Sequence, residues 1–142
     1  MANPTVVASA CQNLESRELS IIVPALRVVG NYLTANDPGI VDVCMWEGCM
    51  DKLYQHLLMT NSTIIKETLW AFSNITAGIQ QHVKLFVEHP AFDRILVLTK
   101  NPNIDVRQEA LWVICNAITG VDYELRKKIM MKGGDELIST LI

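Results

Sequence analysis

Three segments of the chain place an asparagine four residues after a large side chain: Arg27-Val28-Val29-Gly30-Asn31, Trp70-Ala71-Phe72-Ser73-Asn74 and Trp112-Val113-Ile114-Cys115-Asn116. A spacing of four sets both members of each pair on one helix face. The asparagines stand 43 and then 42 residues apart, a period typical of helical solenoids. The chemistry on offer is therefore non-covalent: a row of like contacts, suited to an extended and repetitive ligand.

Positioning such a row takes a helix of the same kind in every unit, and the flanking sequence predicts one. Ile40 to Gly48 reads as a short apolar helix with Pro38 and Gly48 at its margins. Met50 to Met59 follows, with Leu53, Leu57 and Leu58 at helical spacing. Asn61-Ser62-Thr63 supplies a polar break with capping residues, and a long helix from Thr63 to Thr76 ends before Gly78. The order then recurs: Gln80 to Glu88, a second helix from Pro90 through Thr99, a break at Asn101-Pro102-Asn103, and a long helix from Ile104 to Thr119 with Gly120 at its end. No segment alternates like a strand between hairpin turns, so the fold class is all-α. Residues 36–78 and 79–120 are two complete three-helix units in a single domain, 1–142. Residues 1–35 and 121–142 are partial units, the latter with a Gly133-Gly134 turn and an apolar ending at 137–142. Solenoid units bury their apolar faces against neighbours, so such an ending fits a piece of a longer solenoid or a face that pairs with another molecule.

Composition narrows the classes. Apolar residues make up 50% of the chain, enough for a packed core, and only 19% are charged, which argues against long disordered tails. A net charge of −3 does not suit a nucleic-acid surface and leans toward cationic partners. No apolar run reaches the roughly 18 residues of a membrane span, and the first residues lack a signal-peptide pattern. Cys11, Cys44, Cys49 and Cys115 show no zinc spacing and read as buried, reduced thiols of an intracellular protein. The sequons at Asn61 and Asn74 then read as coincidental. There is no phosphate-binding glycine loop, nucleophile–base pair or metal cluster, so neither an enzyme nor a cofactor is expected.

The Arg/Trp-x-x-x-Asn segments, with Trp70-Ala71-Phe72-Ser73-Asn74-Ile75-Thr76-Ala77-Gly78 the most specific of them, closely resemble the armadillo repeats of the importin-α family. The resemblance covers essentially the whole chain. It implies a right-handed armadillo superhelix that recognises Lys/Arg-rich nuclear localisation signals in an extended conformation. Arginine in the first copy followed by tryptophan in the next two is the order of the family's later repeats, which form its minor signal-binding site. The peptide-binding set it implies is Arg27, Asn31, Thr34, Asp37, Glu67, Trp70, Ser73, Asn74, Glu109, Trp112 and Asn116. It implies basic cargo proteins as partners and a location in cytoplasm and nucleus. The import receptor importin-β would engage only if a longer chain supplied the family's basic N-terminal segment, because the present residues lack it, the earlier Trp repeats and the export repeats.

Elementary chemistry agrees with this set. An asparagine amide both donates and accepts, as a peptide backbone stripped of water requires. A tryptophan face attracts a Lys or Arg head group by about 0.5–2 kcal/mol, and Trp70 with Trp112 would make a slot for one cationic side chain. Glu67, Trp70 and Asn74 fall at i, i+3 and i+7, as do Glu109, Trp112 and Asn116, so each ring has a carboxylate on its own stripe. Arg27 interrupts the tryptophan row and either pairs with an acid or ends it. Trp46 lies off the stripe and reads as packing. His56, His82 and His89 read as surface or satisfied histidines, and Arg126-Lys127-Lys128 as a solvated face or a salt-bridge site between repeats. His89-Pro90-Ala91 replaces the glycine usual at that turn. The alternative function is an armadillo scaffold for other protein partners, which leaves the Trp–Asn stripe without a purpose.

Overall fold

The computed structural model describes residues 4–33 and 38–134, so Thr34, Asp37 and the apolar segment 137–142 lie outside the described residues. Every regular element within them is helical: α1 (Pro4–Asn13), α2 (Leu19–Leu33), α3 (Pro38–Trp46), α4 (Cys49–Leu57), α5 (Ser62–Thr76), α6 (Gln80–Val87), α7 (Pro90–Leu98), α8 (Ile104–Thr119) and α9 (Tyr123–Ile129). A π-helical turn, Met130–Gly134, follows α9 and carries Gly133 at φ 130°. The short–short–long order expected from the sequence appears as α3–α4–α5 and again as α6–α7–α8, with α2, α5 and α8 as the long members. No described helix is long and apolar enough to cross a membrane.

The long helices start where short polar side chains can satisfy the first free amides. Asn61 Oδ1 accepts from the Thr63 and Ile64 amides at 2.9 and 3.2 Å, and Asn103 Oδ1 accepts from Asp105 and Val106 at 2.9 and 3.3 Å. Each cap removes two of the four unpaired donors at a helix N-terminus. The two short-helix turns differ. Gly48 turns the chain in the left-handed region at φ 72°, whereas His89 takes φ −91° and caps α7 by accepting the Ala91 amide at Nδ1. An imidazole acceptor thus does at one turn what a glycine conformation does at the other.

Burial depends on neighbouring units. Leu69 and Phe72 of α5 and Phe86 and Phe92 of the next unit are fully buried, with ring centroids 5.4 Å apart for Phe72–Phe86 and 5.6 Å for Phe86–Phe92. Ile21, Ile64 and Val106 hold one register position. The latter two, which have a unit on either side, are 2% and 1% exposed, and Ile21 on α2 is 39% exposed. Polar links follow the same period. Lys52 pairs with Glu15, His82 with Asp42 at 2.7 Å, His89 with Asp51 at 2.6 Å and Lys128 with Glu88 at 3.0 Å, while Arg94 Nε donates to the Leu57 carbonyl. Each joins residues 37 to 40 positions apart, one unit to the next. His82 and His89 are thus satisfied, and Lys128 shows the basic run on α9 to be a site of pairing between units. The Lys128 bond also holds the Glu88 carboxyl below its usual pKa.

His56 is buried, and its Nε2 lies 2.7 Å from the Leu14 carbonyl at the end of α1. Its Nδ1 is buried with no hydrogen-bond partner, and burial lowers the pKa below the ordinary histidine value despite the opposing carbonyl. A lowered pKa means that the folded chain resists protonation. The stability tied to neutral His56 is therefore complete above about pH 6.5 and is lost as pH falls below it. We expect the melting temperature to drop more steeply between about pH 6.5 and 5 in the wild-type chain than in His56→Gln, whose amide keeps a neutral donor for Leu14; thermal melts across that range measure the difference.

Candidate peptide-binding groove

The three long helices lie side by side, α5 packing against α2 on one side and α8 on the other. This brings Arg27, Trp70 and Trp112 into equivalent positions on consecutive helices. The first contact between them depends on a missing side chain. A Cβ on Gly30 would stand 2.2 Å from Cζ3 of the Trp70 ring, so the half-buried indole is seated on the bare backbone of α2. One unit on, the position of Gly30 is taken by Ser73, and Trp112 is 62% exposed. The two rings therefore differ: Trp70 is half covered by its neighbour and Trp112 presents most of its surface to solvent.

The asparagines have partners the sequence did not reveal. Asn74 Nδ2 donates to the Gly30 carbonyl at 3.0 Å, and Asn116 Nδ2 donates to the Ser73 carbonyl at 3.2 Å. In each case the acceptor is the residue before the asparagine position of the preceding unit. A main-chain carbonyl one helix away thus supplies part of what these amides require. Both side chains remain half-buried, each with its Oδ1 and one N–H outside this ladder. A contact with the next helix thus fixes the amide while leaving acceptor and donor capacity at the surface. Asn31 is exposed at the equivalent place on α2.

Arg27 resolves the choice left by its sequence. Its Nε and Nη2 donate to Glu67 Oε1 at 3.3 and 3.1 Å, across one unit. The Arg27 side chain is 62% exposed and that of Glu67 22%, so solvent screens the pair and its worth is small. Glu67 is thereby already matched with a cation. Glu109, at the same position one unit on, is half-buried, and among the described residues no cation lies within ion-pair distance of it. Ser73 is 4% exposed and its hydroxyl donates to the Trp70 carbonyl at 2.6 Å, so this side chain serves its own helix and the Ser73 carbonyl serves the ladder.

Other expectations change. Trp46, read as packing, is 89% exposed at the end of α3, because that short helix turns its last residue away from the core before Gly48. Cys115 is only half-buried, unlike the other three cysteines. Hollows such as that of about 540 Å³ beside Val6, Ile21, Pro24 and Val28 lie away from the stripe. On the stripe, Trp112 is exposed and Glu67, Trp70, Asn74, Glu109 and Asn116 are half-buried.

No protein-family model matches the chain. Importin subunit alpha-2 of Oryza sativa subsp. japonica is 32% identical over 107 residues, which cover 71% of this chain and 20% of that protein. Importin subunit alpha-1b of the same plant is 32% identical over 68 residues, 48% of this chain and 12% of the relative, and importin subunit alpha-2 of Arabidopsis thaliana is 30% identical over 67 residues, 47% and 12%. The chain spans a fifth or less of the length of these relatives. Among solved structures, a designed armadillo repeat protein in complex with the peptide (KR)4 matches with a TM-score of 0.83 at 22% identity, covering 92% of this chain and 54% of that one. A second designed armadillo repeat protein matches at 0.80 and 21%, covering 90% and 53%. The all-α armadillo solenoid and the likeness to importin-α read from the sequence are both borne out.

The Trp70–Gly30 seat and the Asn116 bond make separate demands. Gly30→Ala is expected to cost about 1–3 kcal/mol by overpacking and to expose the Trp70 indole, whereas Asn116→Ala loses about 1 kcal/mol with little change at Trp70. Denaturant titrations followed by tryptophan emission separate the two.

Proposed function

We propose that this armadillo solenoid, similar in sequence to importin-α subunits, is a protein-binding module that takes Lys/Arg-rich segments of cargo proteins, nuclear localisation signals among them, in an extended conformation along α2, α5 and α8. The observation that carries this reading is the rung of Trp70, Trp112 and Glu109: two rings one period apart and a half-buried carboxylate with no cation beside it among the described residues. Glu67 reaches Arg27 one unit back, so the same register carried one unit on sets Glu109 toward Trp70. A ligand lysine or arginine between the rings then meets aromatic faces along its stem and a carboxylate at its head. The amides of Asn74 and Asn116 take the peptide backbone on either side.

Spacing supports the ligand class. Packed helices stand about 8–10 Å apart and an extended peptide rises about 3.3 Å per residue, so successive units meet every third peptide residue. The solved designed armadillo protein in complex with (KR)4 is a fold neighbour whose ligand has this chemistry. We place the stripe at the minor signal site of the family, with residues 36–78 and 79–120 as its complete repeats, and with Thr34 and Asp37 extending it beyond Asn31. Localisation to cytoplasm and nucleus, and engagement of importin-β through a longer chain, follow from this reading.

Calorimetry with a basic signal peptide tests it. Affinity is expected to be micromolar or weaker and to fall with added salt. Trp70→Ala with Trp112→Ala should weaken binding at least about tenfold, Glu109→Gln should weaken it more than Glu67→Gln, and Trp46→Ala should leave it unchanged. Equal affinity for the wild type and the double tryptophan variant would falsify the assignment.

A further inference from the structure

We propose that a lysine-rimmed hollow formed by α6, α9 and the turn after it is a second docking site, which takes an Asp/Glu-rich segment of a partner protein. The hollow holds about 600 Å³ and is lined by Lys84 of α6, by Leu125, Lys127 and Lys128 of α9, and by Met131 and Lys132 of the following turn. Ligand sites commonly span about 300–1,000 Å³ and have mostly apolar walls; here ammonium groups take the place of much of that wall. The chain as a whole carries a net charge of −3, so the lysines at this hollow gather positive charge on a molecule that is negative overall. None of the lining residues belongs to the tryptophan–asparagine stripe.

The lysines fall into two pairs. Lys128 donates to Glu88 at 3.0 Å, and Lys132 donates to the Val87 carbonyl with its Nζ 5.2 Å from the centre of the Phe92 ring. Both are held in place before any ligand arrives, and an ammonium has three N–H donors, so such a bond leaves others for a ligand. Lys84 and Lys127 are exposed and, among the described residues, have no ion-pair partner. The acidic side chains at the hollow offset them only in part. Asp122 is engaged at both oxygens, by Gln80 at 2.8 Å and by the Leu125 amide at 2.9 Å, while Glu124 stays exposed in the first turn of α9. Glu88 shows how the cluster acts on a carboxylate: Lys128 above all, with smaller pulls from Lys84 and Lys132, holds it below its usual pKa.

The mixture of groups selects a peptide. Met131 is 79% exposed beside the ammonium groups, so a segment that brings several carboxylates and one apolar side chain satisfies both kinds of surface. Lysine suits such a ligand, because its compact charge meets a carboxylate without the fixed fork geometry of arginine. Nucleic acid fits less well. No aromatic side chain lines the hollow for a base to stack on, and Glu124 opposes a continuous phosphate backbone. The contacts are charged and exposed, so salt weakens them.

Fluorescence anisotropy of the whole chain with a labelled peptide of aspartates and glutamates around a single leucine tests the site. The expected result is saturable binding that weakens with added salt. Lys84→Glu with Lys127→Glu should weaken it at least about tenfold; both side chains are exposed, and circular dichroism checks that the variant keeps its helices. Lys127→Glu alone should weaken binding more than Arg17→Glu, which makes the same change of charge at an exposed residue outside the hollow. Absence of binding, or an equal loss in Lys127→Glu and Arg17→Glu, overturns the proposal. So does displacement of the peptide by inorganic phosphate or a single-stranded oligonucleotide more readily than by its unlabelled form, since the occupant is then a phosphate. Self-association in sedimentation that Lys84→Glu with Lys127→Glu abolishes overturns it too, with a second copy as the occupant. No arm of the test involves the stripe, so its outcome is separate from that of the signal-peptide reading.

Discussion

The seat of the Trp70 indole on Gly30, with the Asn74 amide bonded to the Gly30 carbonyl beside it, sets how α5 lies against α2. Much else follows from that one close approach. It brings the long helices near enough for Arg27 to reach Glu67, and Asn116 repeats the amide-to-carbonyl bond on the next helix. Apolar residues such as Ile64 and Val106, which have a unit on either side, are buried, whereas Ile21 at the same register is exposed. The polar links that span one period act in the same direction, each fixing one unit relative to the next.

Under the proposed reading the asparagines of the ladder have two duties at once. An amide held by a backbone carbonyl loses rotamer freedom before any ligand arrives, so less entropy remains to be lost on binding. Arg27 and Glu67 supply an internal precedent for the proposed recognition. A guanidinium from one unit already meets a carboxylate from the next at the register where a ligand cation is expected one rung further on. Glu67 is so matched, and under the proposed reading the attraction for a ligand cation then falls to Glu109, on the same stripe as the exposed Trp112.

Much of the architecture was legible because it is periodic. The Trp-x-x-x-Asn spacing, the Asn61 and Asn103 caps and the breaks near Pro90 and Pro102 placed the helices of both central units within one or two residues of their observed ends. What stayed hidden depends on contacts between helices, which spacing alone does not encode. Gly30 looked like any helix glycine until a ring was found lying on it, and the carbonyl partners of Asn74 and Asn116 come from a helix one unit away. Trp46 is likewise exposed because of the direction in which a short helix ends. The stripe was readable as a set of residues; which carboxylate is already matched was not.

The most direct test of the central claim is a side-chain NMR titration of the whole chain with a Lys/Arg-rich peptide, following the indole N–H signals of its three tryptophans and the amide signals of Asn74 and Asn116. The account predicts saturable shifts at Trp70, Trp112, Asn74 and Asn116 with the Trp46 indole unmoved. Shifts centred on Trp46, or saturation of binding without movement of either groove tryptophan, would contradict it.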